Sequence, residues 1–166
     1  DVYKRQPHGT FGLYAREIIP PGGEDLPALL YLQGGPGFPA PRPLAPTGLI
    51  GKALERYRVI LMDQRGTGRS HRIDALSPAA ERTAKHLALL RQDNIVRDAE
   101  RLREHLGLEN WSLFGQSFGG FCITAYLSQA PERVEHAFFT GGIPTLKGAD
   151  ELYRATFSKL KARQQR

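Results

Sequence analysis

Gly115-Gln116-Ser117-Phe118-Gly119-Gly120 is a G-x-S-x-G pattern set between an apolar stretch, Trp111 to Phe114, and a helix-like stretch, Phe118 to Gln129. Strand, tight turn and helix form the context in which such a serine works as a nucleophile. The turn holds the serine in a strained backbone geometry, and the small residues Gly115 and Gly119 keep the reversing chain from colliding with itself. The hydroxyl is thereby pushed out at the carboxyl end of a sheet. The unpaired N–H groups at the start of the helix face the same spot. A glycine-rich turn with a passenger serine would give the same five letters, so the rest of the chain has to decide.

Outward from this turn, the chain alternates apolar runs with helical patterns. Phe11–Ile19 reads as a strand, ended by Pro20-Pro21-Gly22-Gly23. Ala28–Gln33 and Tyr57–Met62 are nearly continuous apolar runs, and Val134–Thr140 is a further strand behind the helix stopped by Pro131. A short helix is expected around Leu49–Arg56. Ser77-Pro78 predicts a capped helix reaching Leu90. Asp93 is the candidate cap of the next helix, whose Ile95, Ala99, Leu102 and Leu106 repeat on one face up to Gly107. A last helix is expected over about Asp150–Arg163. Strands apolar at consecutive positions are buried on both faces. Separated by helices, they predict an α/β fold: a mostly parallel sheet with helices on both sides.

Length and composition fit one domain. The 166 residues are 40% apolar and 24% charged, and no apolar run approaches the ~20 residues that cross a bilayer. The net charge of +6 comes from 23 basic and 17 acidic residues. They are interleaved along Arg91–Glu109, with no aromatic-plus-basic recognition motif, so neither a nucleic-acid nor a membrane partner is expected. The single cysteine, Cys122, permits no internal disulfide and reads as a buried thiol, in keeping with a reducing, cytoplasmic setting. No His/Cys cluster has metal-ligand spacing, and no glycine loop has the spacing of a phosphate cradle, so neither metal nor cofactor is expected. Oligomeric state is not legible. Residues 1–6, Asp-Val-Tyr-Lys-Arg-Gln, read like translated adapter sequence and are set aside from the fold reading.

Three turn motifs each follow the carboxyl end of a strand: Gln33-Gly34-Gly35-Pro36-Gly37, Asp63-Gln64-Arg65-Gly66-Thr67-Gly68-Arg69-Ser70, and the serine turn. Open α/β sheets collect their ligand sites on that edge. Together with Phe139-Thr140-Gly141-Gly142-Ile143-Pro144, these loops resemble the prolyl aminopeptidase (proline iminopeptidase) family of α/β-hydrolases, in family order from about Phe11 onward. The resemblance implies that Ser117 is the nucleophile. It also implies that Gly35 and Phe118 lend the backbone N–H groups of an oxyanion hole, and that the substrate is a small peptide with a free N-terminus. Gly34, Pro36, Gly37, Asp63, Arg65, Gly66, Gly115 and Gly119 are expected to shape the loops. Asp63 would do so by capping backbone N–H groups and Arg65 by fixing neighbouring loops.

In this fold the order is serine, acid, histidine. The only histidine after Ser117 is His136, near the start of its strand and so at the wrong end of the sheet. His8, His71, His86 and His105 precede the serine, and Asp150 and Glu151 come early for the acid. The expectation is therefore a partial α/β-hydrolase fold that stops before the last strands. Residues 7–144 would be the first part of the core and 145–166 the start of a helical cap, with the triad acid and histidine outside the 166 residues. Two alternatives stay open: another hydrolase of this fold, such as an esterase or a tripeptidyl-type aminopeptidase, or an inactive non-enzymatic fragment.

Overall fold

The computed structural model describes residues 2–6, 9–142 and 149–164. Its frame is a five-stranded sheet in the order β3-β5-β4-β6-β7. The strands are β3 (Ala15–Ile18), β4 (Ala28–Leu32), β5 (Arg58–Met62), β6 (Trp111–Gln116) and β7 (Val134–Thr140). The pairs β4–β5, β4–β6 and β6–β7 are parallel, and β3 runs antiparallel on β5. A separate antiparallel hairpin joins β1 (Val2–Gln6) to β2 (Gly9–Leu13). The adapter-like segment thus contributes a strand that the sequence reading left out. The strand expected over Phe11–Ile19 is divided at Tyr14, whose N–H donates to Ser70 Oγ at 2.8 Å and whose carbonyl accepts from Asp63 N–H at 2.9 Å.

The continuous apolar runs have a simple cause: alternate residues feed two cores. Leu30, Leu32, Ile60, Met62, Trp111 and Leu113 face α3 (Gln92–His105) and α4 (Phe118–Gln129). Leu29, Tyr31, Val59, Leu61 and Phe114 face α1 (Gly48–Ala53) on the other side. A strand with side-chain period two can be apolar throughout only when both faces are covered. On α3 the residues Ile95, Ala99 and Leu102 are buried as their spacing requires, and Gly107 follows the helix end with φ +67.

Two helix expectations need correction. The helix expected from Ser77 to Leu90 is three short pieces: a 3-10 turn at Ala79–Arg82, α2 at Ala84–Leu87 and a 3-10 turn at Ala88–Leu90. Ser77 turns its hydroxyl back to accept from Asp74 N–H, so it does not cap the helix ahead. Thr83 sits in an extended conformation and accepts from His86 N–H, starting a new turn. None of these pieces buries a side chain that could hold a longer helix in place. The second correction concerns α3, whose cap position is Arg91. Asp93 lies in the first turn, where its charge faces the positive end of the helix.

The last helix, α5 (Ala149–Gln164), spans the expected stretch, with Asp150, Glu151, Arg154, Lys159 and Lys161 exposed. Ile143, Pro144 and the expected cap start at 145–148 lie outside the described residues. Among the described residues no helix is long and apolar enough to cross a membrane.

Candidate active site

Ser117 is the junction of β6 and α4, with φ 49 and ψ −114. For a residue with a Cβ this is sparsely populated territory, costing on the order of 1–3 kcal/mol. The surroundings enforce it. A Cβ on Gly115 would come within 2.6 Å of the Gly119 carbonyl group, and one on Gly119 would overlap the Leu32 carbonyl oxygen. The turn can therefore be as tight as it is only with glycine at both places. Ser117 N–H donates to Thr140 O at 3.0 Å, and Ser117 O accepts from Gly120 N–H at 2.8 Å, tying the turn to β7 and to the first turn of α4. The serine itself is exposed.

The Gly34–Gly37 loop lies against this turn. A Cβ on Gly34 would sit 2.8 Å from Gln116 O and 3.0 Å from Ser117 Cβ. Gly35, next to it, is exposed and holds φ +121, a conformation that favours glycine. Phe118 is the first residue of α4, so its N–H has no partner within the helix. One glycine loop and one helix start thus border the same exposed hydroxyl. Pro36, on the far side of Gly35, has no N–H to offer.

The third loop is held by its charges. Asp63 is fully buried, and its carboxylate accepts from Ala40 N–H at 2.9 Å, from Arg69 N–H at 2.9 Å and from the Arg42 guanidinium at 2.5 Å. Arg65 makes a bidentate pair with Asp98 of α3 at 2.6 and 2.7 Å and donates to Leu89 O at 2.9 Å. Gly66, after it, has φ +81 and packs on Leu90. Both charged residues are consumed in holding backbone and helix, and neither faces Ser117 as an acid or base.

Sequence reasoning passed over the residues that stitch the three loops together. Gln64 Nε2 donates to Gln33 O at 3.0 Å. The Tyr31 hydroxyl lies 2.8 Å from Gln116 Oε1 and 3.2 Å from Gln33 Oε1; it carries one proton, so the shorter contact is the donated bond. Burial raises the Tyr31 pKa above its usual value, so it stays a neutral donor. A signal existed: a glutamine stands in each loop just where an apolar strand ends. Asp98 and Arg42 had none, because their partners are 33 and 21 residues away.

Behind the turn, Trp111 Nε1 donates to the Tyr126 hydroxyl at 3.0 Å, and that hydroxyl donates to Glu100. Arg103 grips Glu100 with bonds of 2.9 and 2.8 Å. Burial pulls the Glu100 carboxyl upward, but the bonds from Arg103 and Tyr126 outweigh it and hold its pKa below the usual value. Cys122, fully buried beside Ile123, has its thiol pushed up to about 12 by burial. It is no nucleophile.

Among the described residues no histidine hydrogen-bonds Ser117. His136 Nδ1 lies 3.5 Å from Ser112 Oγ, near the opposite end of β6, and His71 faces Glu81 at 3.5 Å. His105 ends α3, His86 is on α2, and His8 lies outside the described residues. Asp150 and Glu151 begin α5 and are exposed. Among the described residues no His/Cys/Asp/Glu group is arranged to hold a metal.

A sheet whose strand ends present a strained serine, a glycine loop and a helix start is the architecture of the α/β-hydrolases. The chain belongs to the alpha/beta hydrolase fold family, whose sequence profile matches residues 27–166. Within it, the chain is 51% identical over 144 residues to the proline iminopeptidase of Aeromonas sobria, an overlap of 82% of this chain and 33% of that one. The chain spans about a third of the length of the curated relatives it matches. Among solved structures, a proline iminopeptidase-related protein of Thermus thermophilus superposes with a TM-score of 0.56 at 27% identity, over 83% of this chain and 42% of that one. The 2-hydroxy-6-oxo-6-phenylhexa-2,4-dienoate hydrolase of a Rhodococcus species gives 0.61 at 28% identity, over 92% and 51%.

Proposed function

We propose that this chain carries the nucleophile and oxyanion hole of a serine aminopeptidase that removes N-terminal proline from peptides. The observation that carries the reading is Ser117 at φ 49, ψ −114 on a strand-to-helix turn, with the Gly34–Gly37 loop packed on it. Its likeness to proline iminopeptidases supports the choice of substrate.

Ser117 Oγ attacks the carbonyl carbon of the N-terminal residue while a general base takes its proton. The carbonyl π electrons move to oxygen, and the N–H groups of Gly35 and Phe118 receive the resulting oxyanion. Each such donor contributes roughly 3–4 kcal/mol to the transition state. Collapse breaks the C–N bond, the base returns the proton to the leaving amine, and water then hydrolyses the acyl ester by the same steps in reverse order. The base and its orienting carboxylate are proposed to lie outside the described residues, in keeping with a chain that spans about a third of the length of the proline iminopeptidases it matches.

The test is hydrolysis of L-proline p-nitroanilide against short acyl p-nitrophenyl esters by the intact protein and by Ser117→Ala. The reading expects the anilide to be preferred and the variant to lose several orders of magnitude in rate. The 166-residue chain by itself is expected to turn over very slowly. An ester preference would move the protein to the esterase reading, and an unimpaired variant would remove Ser117 from the chemistry.

A further inference from the structure

We infer that Arg69, mounted beside Arg42 on the ring of Tyr14, is the subsite for the C-terminal carboxylate of a short peptide substrate. This rests on the proposed function and narrows it to free-acid peptides a few residues long.

The arrangement is a charge that has been placed and left uncompensated. Two guanidinium groups address one ring: Arg69 Cζ lies 4.6 Å and Arg42 Cζ 5.1 Å from the Tyr14 centroid. Arg42 is committed to the buried carboxylate of Asp63 at 2.5 Å. Asp63 is thereby matched, and its second duty is to accept the backbone N–H of Arg69. Arg69 itself is exposed, and among the described residues its guanidinium has no carboxylate within ion-pair distance. Two positive charges against one negative leave one positive charge over. Stacking on Tyr14 and the tethered backbone restrict the Arg69 side chain before any ligand arrives, which lowers the entropy lost on binding.

Position makes a peptide terminus the fitting anion. Arg69 follows β5 and Tyr14 precedes β3, so both lie on the sheet edge to which β6 delivers Ser117. From β6 to β5 is two strand spacings, and to β3, into which Tyr14 leads, three, or about 10–14 Å. The intervening loop bridges that span: Gly34 touches the serine turn, and Pro39 packs against Gly68, where a Cβ would meet it at 2.8 Å. An extended peptide advances about 3.3 Å per residue. Three to four residues beyond the scissile bond therefore bring a terminal carboxylate to the guanidinium, which pairs with it through two parallel N–H bonds.

The test measures binding of Pro-Gly-Gly-Gly and of its C-terminal amide by calorimetry to the intact protein carrying Ser117→Ala, so that nothing is turned over. The expected result is about three- to five-fold tighter binding of the acid, shrinking as salt is raised. Adding Arg69→Met, which keeps a stem over the Tyr14 ring, should bring acid and amide to equal affinity. Equal affinities with Arg69 present, a preference that survives Arg69→Met, or no binding of either peptide would each overturn the inference. Proline p-nitroanilide carries no carboxylate, so its hydrolysis reports on Ser117 independently. If Ser117→Ala still hydrolyses the anilide, the proposed function ends; if it is inactive and the acid and amide bind equally, only the Arg69 subsite falls.

Discussion

Gly119→Ala sets two physical effects against each other. Gly119 is the second residue of α4, and its φ is not among the left-handed values of the chain. Helix propensity alone therefore favours alanine by about 0.8–1.0 kcal/mol. The packing says the reverse. The new Cβ would overlap the Leu32 carbonyl oxygen and come within 2.8 Å of its carbonyl carbon and 3.3 Å of its Cβ. Leu32 ends β4 and is 1% exposed, so it cannot step aside. To restore an ordinary carbon–oxygen approach of about 3.3 Å, α4 must retreat by roughly 1 Å. That loosens Ile123 and Tyr126, both fully buried beneath the helix. Overpacking of this kind costs about 1–3 kcal/mol or more, so a net loss of roughly 2 kcal/mol is expected. In urea the midpoint should fall by about 1 M. Ser117 moves with the helix, and a displacement of about 1 Å should cost on the order of a hundredfold in hydrolysis rate. Gly107→Ala is the control: it meets open space but holds φ +67, so it should lose about 1 kcal/mol of stability and no activity. A Gly119→Ala protein as stable as the parent would mean that propensity governs and that the close approach of α4 to β4 is wrong.

Ser117→Gly should abolish hydrolysis yet raise the urea midpoint, since glycine relieves a strain of about 1 kcal/mol or more at φ 49; a lowered midpoint would deny that strain. Asp98→Ala should destabilise by about 3–5 kcal/mol, because it leaves the Arg65 guanidinium, 1% exposed, without its carboxylate. Adding Arg65→Met should recover much of that loss, measured as a double-mutant cycle in urea. Glu100 has a folded pKa below the usual glutamate value of 4.5. Its contribution is therefore present above that value and is lost as pH falls through the lower, folded one. Glu100→Gln should flatten the stability–pH curve below pH 4.5, and identical slopes in the two proteins would refute the assignment.

What the sequence made legible was whatever a local rule writes into neighbouring residues. The runs Ala28–Gln33, Tyr57–Met62 and Trp111–Phe114 fall on strands because burial on two faces demands unbroken apolar runs. The helix Phe118–Gln129 and the strand Val134–Thr140 fall where turn signals bound them. The failures have the opposite origin. Thr83 interrupts the expected helix by accepting from His86 N–H and starting a new turn, which Ser77-Pro78 gives no sign of, and Tyr14 divides a strand because Ser70, 56 residues on, takes its N–H. The same division runs through the candidate site. The strain at Ser117 is local and so was visible in Gly115–Gly119, whereas the charge left on Arg69 depends on what Arg42 and Asp63 do to each other across 21 residues. Motifs mark where reacting atoms are held, and long-range pairing decides which charges remain free to meet a ligand. Specificity is therefore the property a short motif reads worst, and the comparison of free-acid with amidated peptides is aimed there.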